Sequence, residues 1–211
     1  MRHHTKLALR RPVLFVARRA WVATLAVCLL SATAVTEAAA ASLEGQTFDN
    51  RATLDGKPLA LNGLGLRGVA WIKAFVAGIY VTSPSKDGAQ LVAQAGPKRI
   101  RLKIMLGASA HELTKSLVGR IEDHESTDFQ KRVMPRMNLL GGAIDSMGDL
   151  KAGDTVDLDW LPGKGTQLVR NGRAVGEPVP GDDLYGAVMR IFVGDHPVDK
   201  RMKKGLLAGG V

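Results

Sequence analysis

The chain has 211 residues, with 29 Lys and Arg against 20 Asp and Glu, a formal net charge of +9, and one cysteine. Six of those basic residues and one acid lie in residues 1–41, so the remainder carries 23 against 19, a net +4 too mild to argue for nucleic acid as a partner. Cys28 lies in the same segment, which removes disulfides, thiolate metal sites and a cysteine nucleophile from residues 42–211.

Basic residues, an apolar run from Trp21 to Val35 and the small-residue stretch E-A-A-A-A-S (37–42) follow in the order of a secretory signal peptide. The apolar run is short for a membrane span, which needs about 20 apolar residues. Residues 1–41 are therefore expected to be cut off after Ala40 or Ala41. That leaves 42–211 as one periplasmic domain without a stable membrane span. About 170 residues suffice for a core without covalent staples.

Asp55-Gly56, between Leu54 and P-L-A-L (58–61), predicts a β-hairpin. Residues 67–81, R-G-V-A-W-I-K-A-F-V-A-G-I-Y-V, are rich in β-branched and aromatic side chains and predict a strand. A short helix over 87–96 ends at Gly96. P-K-R-I-R-L-K-I-M-L (97–106) alternates cleanly: Ile100, Leu102, Ile104 and Leu106 on one face, Arg99, Arg101 and Lys103 on the other.

Two helices follow. Ser109 with Glu112 forms a capping-box pattern ahead of the stripe Leu113, Leu117, Val118 and Ile121. The second starts near Ser126 or Thr127 and is expected to kink or break at Pro135 and Gly141-Gly142. Residues 154–161, 166–170 and 173–177 then read as a strand meander with an Asn171-Gly172 turn. Asp157 and Asp159 share one strand face, where Arg170, Arg173 or the Arg99/Arg101/Lys103 face can meet them. The chain ends with helices, the last capped by Asp199. Strands, helices, meander and helices in that order predict an α+β fold with a largely antiparallel sheet. His111 and the D-H-E run (123–125) read as a solvated helix end rather than metal ligands. No cofactor or metal is implied.

Residues 63–68 read G-L-G-L-R-G, the letters of a dinucleotide-binding loop. That loop works only where it opens a helix in a parallel βαβ unit. Here it runs into an apolar strand, so nucleotide binding is excluded. The glycines are expected to supply a turn or bulge with positive φ. Arg67 either pairs with a structural carboxylate or presents its guanidinium to an anionic ligand.

N-G-L-G-L-R-G (62–68) followed by K-A-F-V-A-G-I-Y (73–80) resembles the chalcone isomerase-like family. The similarity continues through P-K-R-I-R-L (97–102), G-D-T-V-D-L-D-W-L-P-G-K-G-T (153–166) and A-V-M-R-I-F-V-G-D-H-P-V-D (187–199). It looks most like the secreted bacterial branch. The resemblance implies an open-faced β-sandwich: a curved antiparallel sheet, helices packed on one face and a ligand cleft between. It implies two activities, since plant members cyclise chalcones and others bind fatty acids. Both use the loop arginine, carried here by Arg67. The enzymes place a Thr two residues after the strand lysine and the fatty-acid binders a Tyr; this chain has Phe75. A hydroxyl that could serve a developing oxyanion is thereby missing.

The expectation is a periplasmic binding module for a small amphipathic anion such as a fatty acid. Arg67 would hold the head group, and Trp71 and Phe75 would line the apolar wall. The alternatives are an isomerase of intramolecular-lyase type with Arg67 as its catalytic stabiliser, and an envelope interaction domain in which Arg67 is structural.

Overall fold

The computed structural model of the chain describes residues 39–69 and 71–211. The signal peptide read over residues 1–41 falls almost wholly outside the described residues. The first strand, β1 (Ala40–Leu43), begins inside the small-residue stretch and pairs with β2 (Gln46–Asp49). A meander follows: β3 (Arg51–Leu54), β4 (Lys57–Val69), β5 (Ile72–Val81), β6 (Lys98–Ile104), β7 (Thr155–Leu161), β8 (Gly165–Arg170) and β9 (Arg173–Val179). These seven strands lie side by side in chain order, each antiparallel to the next. Asp55-Gly56 and Asn171-Gly172 close two of the hairpins with positive φ at both residues. That backbone matches the strand twist, which is why Asp-Gly and Asn-Gly mark such turns.

Helix α1 (Gly88–Ala93) lies between β5 and β6, and α2 (Ala110–His124) and α3 (Thr127–Ser146) between β6 and β7. Helices α4 (Asp182–Val193) and α5 (Lys200–Leu206) follow β9. The register aligns Ile79 with Ile100 and Ile100 with Leu158. Their side of the sheet packs into one core with Leu117 and Ile121 of α2, Met137 and Leu140 of α3, and most of α4. The fold is α+β, with helices on one face of an antiparallel sheet.

The other face is covered by polar partners and by the β1–β2 hairpin. Arg99 makes two hydrogen bonds of 2.6 Å to Asp159, and Arg101 two of 2.8 and 2.7 Å to Asp157. Cross-strand register puts these pairs directly opposite one another. Both carboxylates are buried, and a buried charge is tolerable only when paired in this way. Phe48 of β2 lies over the sheet beside Tyr80, whose hydroxyl donates to the Asp49 carbonyl at 2.9 Å.

Three expectations need correction. Residues 67–81 are not one strand but the end of β4, a turn and β5. The segment carries β-forming side chains throughout and no Asn-Gly or Pro-Gly signal, so composition hides the turn. Of the kink or break expected in α3, the break does not occur: the helix continues from Thr127 to Ser146 through Pro135. Proline in a helix interior costs about 3 kcal/mol or more; burial of Val133, Met137, Leu140 and Ile144 on one face offsets it. Ser109 occupies the N-cap of α2, but its side chain makes no capping hydrogen bond, so the capping box does not form.

Candidate functional site

The glycines of 63–68 sit inside β4, and none of them has positive φ. Of the expected turn or bulge with positive φ, the turn and the positive φ are therefore corrected, while the strand does carry bulge-like register shifts at Leu61/Gly63 and Arg67/Gly68. What the strand needs is the absence of Cβ atoms. A Cβ on Gly63 would run into the carbonyl oxygen of Gly205, and one on Gly65 into that of Met202. Gly205 in turn approaches the Leu64 carbonyl. Three glycines thus let α5 lie backbone to backbone on β4, while Met202 and Leu206 are fully buried beside it.

This seating fixes the surroundings of Arg67. Its Nη1 donates to Asp199 Oδ2 at 3.3 Å, with the two side chains 30% and 15% exposed. Asp199 is also the N-cap of α5, accepting from the Arg201 and Met202 amides at 2.8 and 3.0 Å. Burial pushes its carboxyl pKa up, but the hydrogen bonds from Met202, Arg201 and Arg67 outweigh that and hold it below the usual value. A guanidinium carries five N–H donors. Among the described residues Arg67 uses one.

Arg67 lies directly across from Phe75, and Phe75 directly across from Ile104. Cross-strand partners share a face, so the three form a row on the helix side of the sheet. Phe75, Leu102 and Ile104 floor a cavity of about 200 Å³. Leu113 of α2 and Leu150 complete its apolar wall, and Glu112 is the one ionisable group lining it. Arg67 stands one position beyond this cavity in the row.

Trp71 is not brought to it. Its side chain is 87% exposed in the turn between β4 and β5. Tyr80 points to the opposite face. Three other polar side chains of α2 find partners elsewhere: Thr114 to Asp145 at 2.7 Å, His111 to Asp145 at 3.3 Å, Arg120 to His124 at 3.3 Å. Asp199 as the partner of Arg67 is 132 residues away in the chain. Its role as a helix cap was legible; nothing local in the sequence links it to Arg67.

A match to the family described as chalcone isomerase-like spans residues 40–208. The chain belongs to that family. The match begins at the first residue of β1 and ends just past α5, so all nine strands of this chalcone isomerase-like domain lie within it. A search of curated proteins finds no match. Among solved structures, the domain is similar to the fatty-acid binding protein AtFAP1 of Arabidopsis thaliana. The TM-score is 0.61 and the identity 17%, over 81% of this chain and 96% of that one. At that identity the likeness establishes the chalcone isomerase-like fold and no more.

Proposed function

We propose that this protein is a non-catalytic, periplasmic member of the chalcone isomerase-like family, from its secreted bacterial branch. It holds a small amphipathic anion, such as a fatty acid, with the carboxylate at Arg67 and the chain under Phe75. The observation that carries this reading is the row Arg67, Phe75, Ile104, which leads from a half-exposed cation into an apolar cavity. Binding sites combine apolar walls with a few polar anchors in this way. The fatty-acid binding activity named for AtFAP1 adds support. Phe75 argues against an isomerase, because the position directly across from Arg67 carries no hydroxyl to share a developing negative charge.

The size of the cavity restricts the ligand. Sites for small molecules run to roughly 300–1,000 Å³, and about 200 Å³ falls short of that. Short and medium chains fit; longer ones require α2 to move off the sheet.

The Arg67–Asp199 contact favours a second reading, in which Arg67 only clamps α5. Its magnitude is small. A partly exposed pair with a single contact is worth about 0.2–1 kcal/mol. The backbone seating at Gly63 and Gly65 and the burial of Met202 and Leu206 hold α5 without it.

Native mass spectrometry of protein purified from the cell envelope tests the proposal, with wild type beside Arg67→Gln. Glutamine keeps a donor facing Asp199 and removes the charge. An added acyl mass in wild type, reduced in Arg67→Gln at equal circular dichroism, is expected. A wild type that stays empty after incubation with fatty acids overturns binding. If it instead cyclises a chalcone, the isomerase reading takes over.

A further inference from the structure

The β4–β5 turn presents two adjacent apolar side chains to solvent, Trp71 at 87% and Ile72 at 49% exposure. One exposed apolar residue needs no explanation. These two have particular neighbours. Ile72 lines a surface groove of about 600 Å³ whose charged groups are Lys73, Arg201 and Lys204 with Glu44 and Asp199. Arg201 and Lys204 lie three residues apart on the exposed face of α5, the opposite face of which buries Met202 and Leu206. Among the described residues Lys73 pairs with Glu44 at 2.6 Å, whereas no carboxylate lies within ion-pair distance of Arg201 or Lys204. Ile72, next to the exposed Trp71 in the chain, thus shares a groove with two cations that have no ion-pair partner among the described residues.

We infer that this tip docks the protein on an anionic lipid surface, with Trp71 and Ile72 entering the interface and Arg201 and Lys204 meeting lipid phosphates. The chemistry favours lipid over a protein partner. A stable protein interface buries about 1,200–2,000 Å², far more than two side chains on a convex turn supply. Tryptophan settles at the level of lipid head groups because its ring is apolar with one polar edge. Each basic residue near an anionic membrane strengthens binding roughly five-fold. The inference does not depend on what Arg67 holds.

Vesicle flotation of the protein purified from the cell envelope tests it, using phosphatidylcholine alone and phosphatidylcholine mixed with phosphatidylglycerol. Wild type is expected to prefer the mixed vesicles and to lose that preference in high salt. The double variant Trp71→Ser/Ile72→Ser is expected to partition at least about ten-fold more weakly. Arg201→Gln/Lys204→Gln is expected to lose about 25-fold on the mixed vesicles and little on the neutral ones. Equal flotation of wild type and Trp71→Ser/Ile72→Ser overturns the inference. So does light scattering in which the wild type is a dimer and that variant a monomer while both float alike, since the occupant is then a second copy of the chain.

Discussion

Arg67 and Asp199 are each other's neighbour and competitor: the carboxylate that caps α5 occupies one of the donors a ligand would use. Asp199→Asn separates the two roles, because asparagine caps a helix about as well as aspartate. Stability should change by less than about 1 kcal/mol in urea unfolding. Carboxylate affinity should rise several-fold by calorimetry; an unchanged affinity would argue that Arg67 takes no part in binding. Asp154 is a different case. The Asn171 side chain first, then the Lys151 amide and Arg170, hold its carboxyl at about 2, below its ordinary 3.8. A depressed carboxyl stabilises the fold fully above its unfolded value, and that contribution is lost as pH falls through the folded one. Asp154→Asn should therefore be less stable than wild type at neutral pH, with the difference closing between about pH 4 and pH 2. Urea midpoints across that range check it, and a constant difference would contradict it. Neither carboxylate announced its partner in the sequence, since Arg67 and Asp199 meet only once α5 is seated.

At the level of elements, the sheet was legible and its helical seating was not. Strict alternation in β6 and β7 set Arg99 and Arg101 on one face and Asp157 and Asp159 on one face, so their pairing was one of the arrangements period two allowed, beside Arg170 and Arg173, and the β6–β7 register decides it. Removing one partner there leaves a buried charge. Asp157→Ala should cost about 3–5 kcal/mol in denaturant unfolding, and a loss under 1 kcal/mol would mean that water reaches Arg101. The glycines of β4 were misread for the opposite reason. Their letters suit a turn, a phosphate loop or a close approach equally, and the element they approach lies about 140 residues further on. Gly65→Ala should push α5 away from β4 and destabilise by about 1–3 kcal/mol. Gly142→Ala, on the exposed face of α3 with nothing within 4 Å of the new methyl group, should stabilise by about 0.5–1 kcal/mol. Thermal melts of the two variants should move in opposite directions. Trp71 shows the same limit from another side: an unmarked turn between β4 and β5 takes it out of the apolar wall it was expected to line.

For the whole molecule, the sheet supplies a row of side chains and the helices supply a lid. The anchor comes from β4 and the cavity floor from β5 and β6, whereas the cover comes from α2. The fold class and the family were legible because both rest on many short patterns in order. The cleft was less so, because its volume depends on how closely α2 packs over Phe75. Lys200, Arg201, Lys203 and Lys204 already mark the last helix as having a basic face in the sequence, whereas the place of Arg201 and Lys204 beside Ile72 does not show there. The central claim is that Arg67 takes the head and the Phe75 cavity takes the chain of an amphipathic anion. Calorimetric titration with a series of straight-chain carboxylates tests it most directly. Each added methylene should gain about 0.8 kcal/mol while the cavity has room, then nothing once it is full, and Arg67→Gln should weaken every member by a similar factor. Binding that ignores chain length, or that is equal in wild type and Arg67→Gln, would contradict the claim.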